Sequence, residues 1–137
     1  MNKIDEHAIQ VTCLYFQNKG FKTTITEDQT DHFDILAETP DNKTIAIEVK
    51  GRNCGIHDYS DMRVELTKYN AACSGIASGE FKGALVVSVY KDDSLGIGNL
   101  MQGTATQAWG PKTSHFGDRT RVLKDYWDVP RLIEEIK

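Results

Sequence analysis

Apolar residues recur with a helical period at the start of the chain and with a strand period soon afterwards. Over residues 2–19 they return at helical spacing, and Gly20 follows as a stop signal, so the pattern predicts a first helix. Short runs rich in β-branched and aromatic residues come next, at residues 21–27, 33–36 and 45–49. Turn residues separate these runs, which predicts three consecutive antiparallel strands.

A second helix and a further strand follow in the pattern. The helix is predicted to begin at a capping residue, Ser60 or Asp61, and to run to about Ser78. The run Gly83–Tyr90 is apolar almost throughout, which is typical of a strand that is buried on both faces. A helix between two strands is the usual crossover between parallel strands.

The last third of the chain has weaker signals. Residues 91–120 are rich in glycine and polar residues and lack a sustained period, so they predict a long loop, which in a compact domain usually serves binding. Arg121–Trp127 predicts a last strand, and Pro130 is expected to open a short terminal helix.

Charged residues interrupt the apolar runs of the second and third strands. If the hairpin is symmetric about Asp41, then Asp34 faces Glu48, with Cβ atoms about 5 Å apart. Because side chains alternate along a strand, Lys50 shares a face with Glu48. Facing carboxylates beside an amine suit a divalent cation such as magnesium or manganese. The alternative is a hairpin whose charged face simply meets solvent.

The spacing from Asp34 to Glu48-Val49-Lys50 resembles the signature of the PD-(D/E)XK nuclease superfamily, which includes restriction endonucleases and archaeal Holliday junction resolvases. The order helix, three strands, helix, strand also matches the core of that family over residues 2–90. Phe33 stands where the family usually has proline. The resemblance implies an α/β fold of the restriction endonuclease type, with a mixed central sheet flanked by helices, and a single nuclease-like domain over residues 1–137.

The resemblance also implies a metal-dependent endonuclease that acts on DNA, including branched or junction DNA, in repair or recombination. Asp34, Glu48 and the Val49 carbonyl would hold magnesium or manganese, and Lys50 would orient or help to deprotonate the attacking water. In the family the first helix adds a glutamate, for which Glu6 is the candidate. Gln10, one turn further on, is the alternative, and an exposed glutamate that favours the helix dipole is the other interpretation of Glu6.

Two consequences of this site concern stability and mutation. Because each carboxylate repels the other in the absence of metal, replacing Asp34 or Glu48 by alanine is expected to be neutral or stabilising for the metal-free protein. The same replacements are expected to abolish cleavage.

The net charge of −4 is a mild argument against a nucleic-acid partner, because affinity for phosphates comes mainly from lysine and arginine. The excess of acids lies in residues 1–50, with nine acids and five bases, whereas residues 51–137 hold eleven of each. A local basic patch is therefore compatible with the composition. The residues expected to contact DNA are His32, Arg52, Lys112, Arg119 and Arg121.

Composition bounds the other properties. With 39% hydrophobic and 26% charged residues, the 137 residues are typical of a globular domain. No apolar run approaches a membrane span and the N-terminus lacks the regions of a signal peptide, so the sequence predicts a cytoplasmic protein without a membrane partner. Cys13, Cys54 and Cys73 lack the spacing of a zinc or redox site and are expected to be reduced. A nucleophilic Cys54 with His57 lacks a supporting motif.

Small chains of the superfamily frequently work as dimers, so the resemblance implies a homodimer. Two other functions stay open at this point. One is a catalytically silent PD-(D/E)XK relative that binds nucleic acid or protein. The other is a small α/β binding or structural protein in which the motif is accidental.

Overall fold

Two helices and two sheets make up the part of the chain that the structure, a computed structural model, describes: residues 3–26, 33–111 and 120–137. A six-stranded sheet has the strand order β1-β2-β3-β5-β6-β9, and a three-stranded sheet has the order β4-β8-β7. In chain order the elements are α1 (Lys3–Asn18), β1 (Lys22–Ile25), β2 (Ile35–Glu38), β3 (Thr44–Gly51), β4 (Asp61–Glu65), α2 (Leu66–Ala77), β5 (Gly83–Val89), β6 (Leu95–Asn99), β7 (Thr104–Pro111), β8 (Arg121–Pro130) and β9 (Ile133–Glu135).

The first helix ends where the sequence predicts it. Gly20 has a φ of +90°, the left-handed conformation that glycine adopts without a Cβ penalty. The Phe21 amide bonds the Phe16 carbonyl at 3.0 Å and the Gly20 amide bonds the Gln17 carbonyl at 3.0 Å. This pair of bonds closes the helix and turns the chain into β1.

The hairpin of β2 and β3 has the predicted register. Ile35 pairs with Ile47 and Glu38 pairs with Thr44 in antiparallel order, so the same register places Asp34 opposite Glu48. Asn42 takes a left-handed φ of 66° in the turn, a conformation that asparagine tolerates better than most residues. The hairpin therefore brings the two motif carboxylates together through local sequence alone.

The third strand lies at the centre of the six-stranded sheet, between an antiparallel and a parallel neighbour. β3 pairs with β5 in parallel, with Glu48 beside Val86 and Lys50 beside Ser88. One face of the sheet packs against α1, in a core that includes Phe16, Ile35 and Ile47. The other face packs against α2 and the three-stranded sheet. That second core contains Phe33, Ala46, Met62, Val64, Ala72, Phe81, Ala84, Val86, Leu100 and Val129.

The predicted second helix begins too early. Asp61–Glu65 is a strand, and α2 starts only at Leu66. Met62 and Val64 are buried and alternate with exposed neighbours, which is the period of a strand rather than of a helix. The strand forms because β8, far away in sequence, pairs with it antiparallel from Pro130 to Tyr126.

The predicted long loop after Lys91 is also wrong within the described residues. β6 and β7 occupy much of it, and the glycines that suggested a loop allow close approach of other chain segments. A Cβ on Gly98 would lie 2.5 Å from the Pro130 carbonyl, and one on Gly103 would lie 2.3 Å from Trp127 Nε1. Glycine is thus required where β8 and its continuation cross over the sheet.

The predicted terminal helix is likewise replaced by a strand. The strand at Arg121 is confirmed, but it continues to Pro130, and β9 then pairs antiparallel with β6, with Ile133 beside Ile97. Tertiary pairing with an available sheet edge decides the conformation of this short segment. In the part of the chain that is described, no helix is long and apolar enough to cross a membrane.

Candidate active site

A small cleft opens beside β3 at the beginning of β2. It has a volume of about 190 Å³, and we call it the carboxylate cleft. Its walls come from α1, β3, α2 and the residue before β2. The residues that line it are Asp5, Ile9, Asp34, Glu48, Val49, Lys50 and Lys68.

Asp34 is held by the strand that it faces. Its Oδ2 accepts a hydrogen bond from the Val49 amide at 2.9 Å, and its own amide donates to the Ile47 carbonyl at 3.1 Å. The side chain thereby satisfies a strand N–H at the point where β2 no longer supplies a carbonyl. Asp34 therefore has a structural role in addition to any chemical one.

Glu48 is a buried carboxyl group in a site that disfavours its charge. Its side chain is 3% exposed. Burial is the main cause that raises its pKa from 4.5 to about 7, and the negative charge of Asp34 adds to it. The lysines nearby oppose this shift only in part. A carboxyl with a pKa near neutrality in a cleft is a frequent mark of a functional group.

Two ammonium groups approach the same oxygen of Glu48. Lys50 Nζ lies 3.6 Å and Lys68 Nζ lies 3.4 Å from Glu48 Oε2. Lys50 is the motif lysine, on the same face of β3 as Glu48. Lys68 comes from the first turn of α2, and sequence reasoning missed it because only the packing of α2 against the sheet brings it to the cleft.

The first helix contributes a different residue from the one predicted. Asp5 lines the carboxylate cleft together with Ile9, one turn further along the same face of α1. Glu6 and its alternative Gln10 are exposed and do not line the cleft. The buried stripe of α1 includes Ala8, Ile9 and Phe16, and it fixes the rotation of the helix that turns Asp5 toward β3.

The structure describes only two of the five residues that were predicted to contact DNA. His32, Lys112 and Arg119 lie outside the described residues. Arg121 is exposed at the start of β8, where its Nη2 donates to the Trp109 carbonyl at 3.2 Å, and it does not line the carboxylate cleft. Arg52 directly follows β3 and lines two neighbouring clefts instead.

The donors in the carboxylate cleft fit magnesium or manganese. Carboxylate and backbone oxygens are the ligands these cations prefer, and magnesium commonly takes only one or two carboxylates. Among the described residues, no group of three or more His, Cys, Asp or Glu side chains gathers as a metal cluster. Burial and the charge of Asp34 both disfavour the ionised form of Glu48, and a bound cation would favour it. Asp34, Glu48 and the Val49 carbonyl are the groups that would hold it.

The fold is similar to that of an archaeal Holliday junction resolvase. The chain is similar to the structure of Hjc, a Holliday junction resolvase from the archaeal hyperthermophile Archaeoglobus fulgidus, with a TM-score of 0.61. The alignment covers 92% of this chain and 83% of that chain, at 12% sequence identity. This likeness confirms the predicted mixed α/β fold, and at such identity it concerns the fold alone.

The sequence itself matches the family model described as "Protein NO VEIN, C-terminal" over residues 4–95. The match spans more than half of the chain, from α1 to the start of β6, and the chain belongs to this family. It is a different family from the one that the motif resembles. No curated protein matches the chain in sequence.

Proposed function

We propose that this protein is a metal-dependent endonuclease that hydrolyses phosphodiester bonds in DNA, with branched or junction DNA among its substrates. The observation that carries the proposal is the buried Glu48, which faces Asp34 and has its pKa raised to about 7. Lys50 and Lys68 lie within 3.6 Å of Glu48, but a purely structural carboxyl would not be expected to be buried against a second carboxylate as well. The resolvase-like fold supports the same interpretation by analogy.

In this proposal, the residues of the carboxylate cleft have different roles in metal binding and in the reaction. Asp34, Glu48 and the Val49 carbonyl hold magnesium or manganese, whose chemistry is to neutralise phosphate oxygens and to make water more acidic. Lys50, whose Nζ lies 3.6 Å from Glu48 Oε2, orients the attacking water as an ammonium or, as the neutral amine, accepts the proton of that water. Lys68 places a second positive charge beside the phosphate, where charge increases in the transition state.

The test is cleavage of supercoiled plasmid and of junction DNA with magnesium or manganese, beside calorimetry of metal binding. Wild type is expected to bind metal and to cleave. Glu48→Gln is expected to lose both, because an amide cannot supply the anionic oxygen. Glu65→Gln is the matched control, since Glu65 is an exposed carboxylate paired with Lys124 in the other sheet. Metal binding and cleavage that survive in Glu48→Gln would refute the proposal.

A second candidate function has its own supporting observation. Lys50 and Lys68 already lie within 3.6 Å of Glu48, so two ammonium groups partly neutralise the carboxylate without metal. Such a site suits a catalytically silent relative that binds nucleic acid or protein. Salt-dependent DNA binding without metal binding or cleavage on plasmid, junction and flap substrates would favour it over the nuclease.

A further inference from the structure

A larger cleft adjoins the end of β3 beyond the motif lysine. It has a volume of about 560 Å³ and lies between the segment that follows β3 and the strands β4 and β8. A cleft of this size is in the range of those that bind small ligands. We call it the Arg52 cleft, and the residues that line it include Arg52, Asn53, Tyr59, Asp61, Arg63 and Asp128.

Arg52 lacks a carboxylate partner among the described residues. Its Nη2 donates to the Arg63 carbonyl at 2.7 Å and its Nε donates to the Ser88 hydroxyl at 3.4 Å, and both acceptors are neutral. None of the ion pairs between described residues includes it. Arg52 is half-buried, so its charge is partly removed from water without a counter-ion, which is costly, and a guanidinium stays charged at any physiological pH. A phosphate is the kind of group that would complete this site, because it accepts charge-assisted hydrogen bonds from arginine.

The acidic residues of the Arg52 cleft do not oppose an anion at Arg52. Asp128 accepts two hydrogen bonds from Arg63, at 2.8 and 3.1 Å, so this pair is neutral as a unit. Asp61 is exposed at the rim, where water and salt screen its charge. Carboxylate and amide groups such as Asp61 and Asn53 are also partners for the edges of nucleobases.

Tyr59 gives the cleft an aromatic rim. Its side chain is 70% exposed, which leaves the ring accessible to a ligand. Its backbone is fixed, because Arg131 Nη1 donates to the Tyr59 carbonyl at 2.6 Å. An accessible ring on an anchored backbone is suited to stacking against an unpaired base.

The position of Arg52 relates this cleft to the carboxylate cleft. The Arg52 amide bonds the Val89 carbonyl at 2.8 Å, so the pairing of β3 with β5 continues to this residue. Side-chain alternation then places Glu48, Lys50 and Arg52 on one face. Lys50 and Arg52 are about 7 Å apart along the chain. The two cationic side chains are therefore close enough to contact neighbouring phosphates of one DNA strand.

We propose that the Arg52 cleft binds one unpaired nucleotide of the DNA strand near the bond that is cleaved, with its phosphate at Arg52 and its base against Tyr59. The proposal rests on the proposed nuclease function and adds a substrate preference to it. DNA with an unpaired nucleotide beside the scissile bond is the favoured substrate, because extruding a nucleotide from an intact duplex costs unstacking and unpairing energy.

The test is binding of a fluorescent short oligothymidylate in EDTA, measured by anisotropy at several salt concentrations. Arg52→Gln is expected to bind about tenfold more weakly or worse, with a salt slope reduced by about 0.7 because one phosphate contact is lost. Tyr59→Ala is expected to lose about tenfold through stacking. Lys43→Gln is the control, because it removes an equal charge from the exposed turn of the hairpin, and it should bind within about twofold of wild type.

Arg52→Gln and Tyr59→Ala binding as tightly as Lys43→Gln would overturn the proposal. If Arg52→Gln does not fold by circular dichroism, Tyr59→Ala decides, since its exposed ring is not part of the core. A third result would also overturn the proposal. If inorganic phosphate displaces the oligothymidylate and Tyr59→Ala binds it as tightly as wild type, the cleft binds an anion only and not a nucleotide.

The failure of this proposal is distinguishable from the failure of the proposed function. The binding test contains no magnesium and requires no cleavage. Oligothymidylate binding that depends on Arg52 and Tyr59, in a protein that cleaves no DNA, would refute the nuclease and support this cleft. DNA cleavage by the wild type, together with unchanged oligothymidylate binding in both variants, would support the nuclease and refute nucleotide binding in this cleft.

Discussion

The carboxylate cleft and the three-stranded sheet both pair carboxylates with cations, but their charges are arranged in opposite ways. In the sheet, the exposed Arg63 and the half-buried Asp128 form a pair with two hydrogen bonds, which raise the pKa of Arg63. In the cleft, Glu48 is buried and faces another carboxylate, and its pKa is raised to about 7. In the sheet, each carboxylate is neutralised by its cationic partner. In the cleft, the lysines neutralise the charges of Glu48 and Asp34 only in part. Under the proposed function, this difference separates charges that stabilise the fold from charges that serve the reaction.

The largest expected difference between the two regions is in activity. Lys50→Met should lower DNA cleavage by about 100-fold or more, because it removes the group that would orient or deprotonate the attacking water. Lys124→Met removes an ammonium that lies 3.3 Å from Glu65 in the sheet and should leave cleavage within about twofold. Initial rates on plasmid with magnesium measure both. Equal losses in the two variants would remove the distinction between the regions.

The second prediction concerns stability as a function of pH. The folded pKa of Glu48, about 7, lies above its ordinary value of 4.5, so the folded state holds the proton more tightly. The stability from this group is fully present below pH 4.5 and is lost as the pH rises through 7. Over that interval the loss is roughly 3 kcal/mol in the metal-free protein.

Glu48→Gln tests this loss directly. The neutral amide should raise the free energy of unfolding at pH 8 by roughly 3 kcal/mol and change it little at pH 4.5. Glu65→Gln, on the exposed face of the sheet, should change it by less than about 0.5 kcal/mol at either pH. Urea unfolding in EDTA is the measurement. A Glu48→Gln variant that is less stable than wild type at pH 8 would show that its ion pairs with Lys50 and Lys68 outweigh its burial.

The third prediction is that replacing Asp34 and replacing Glu48 have different effects on the free energy of unfolding of the metal-free protein. The sequence predicts that alanine at either position is neutral or stabilising without metal, but Asp34 accepts the Val49 amide at 2.9 Å. Asp34→Ala should therefore cost about 1 to 2 kcal/mol, because it leaves a partly buried N–H without its partner. Asp34→Asn keeps an acceptor oxygen and should cost less. Equal stability of the two variants in urea would show that the amide finds another partner.

The smallest expected effect is in the three-stranded sheet. A double-mutant cycle on Arg63 and Asp128 should give a coupling free energy of about 1 kcal/mol or less, because water reaches this pair from the exposed Arg63 side. Added salt should reduce it further. A coupling of several kcal/mol would mean that the sheet, too, depends on its charges, and the contrast with the cleft would be lost.

Local sequence determined the part of the fold that holds the motif. The hairpin register follows from its turn and from side-chain alternation, so Asp34 opposite Glu48 and Lys50 beside it could be placed without any distant contact. Gly20 as the end of α1 and the buried run of β5 are equally local signals. The mixed α/β class followed from the order of these elements.

Only the tertiary structure decided the rest, because distant segments supplied the missing partners. β4 is a strand because β8 pairs with it, and β9 is a strand because the edge of β6 is available. The rotation of α1 brings Asp5 rather than Glu6 to the cleft, and the packing of α2 brings Lys68. The apolar period of a segment predicts its own conformation, but it does not predict which residues of other elements pack beside it. The motif residues could therefore be predicted from the sequence, whereas the residues that surround them could be identified only from the folded structure.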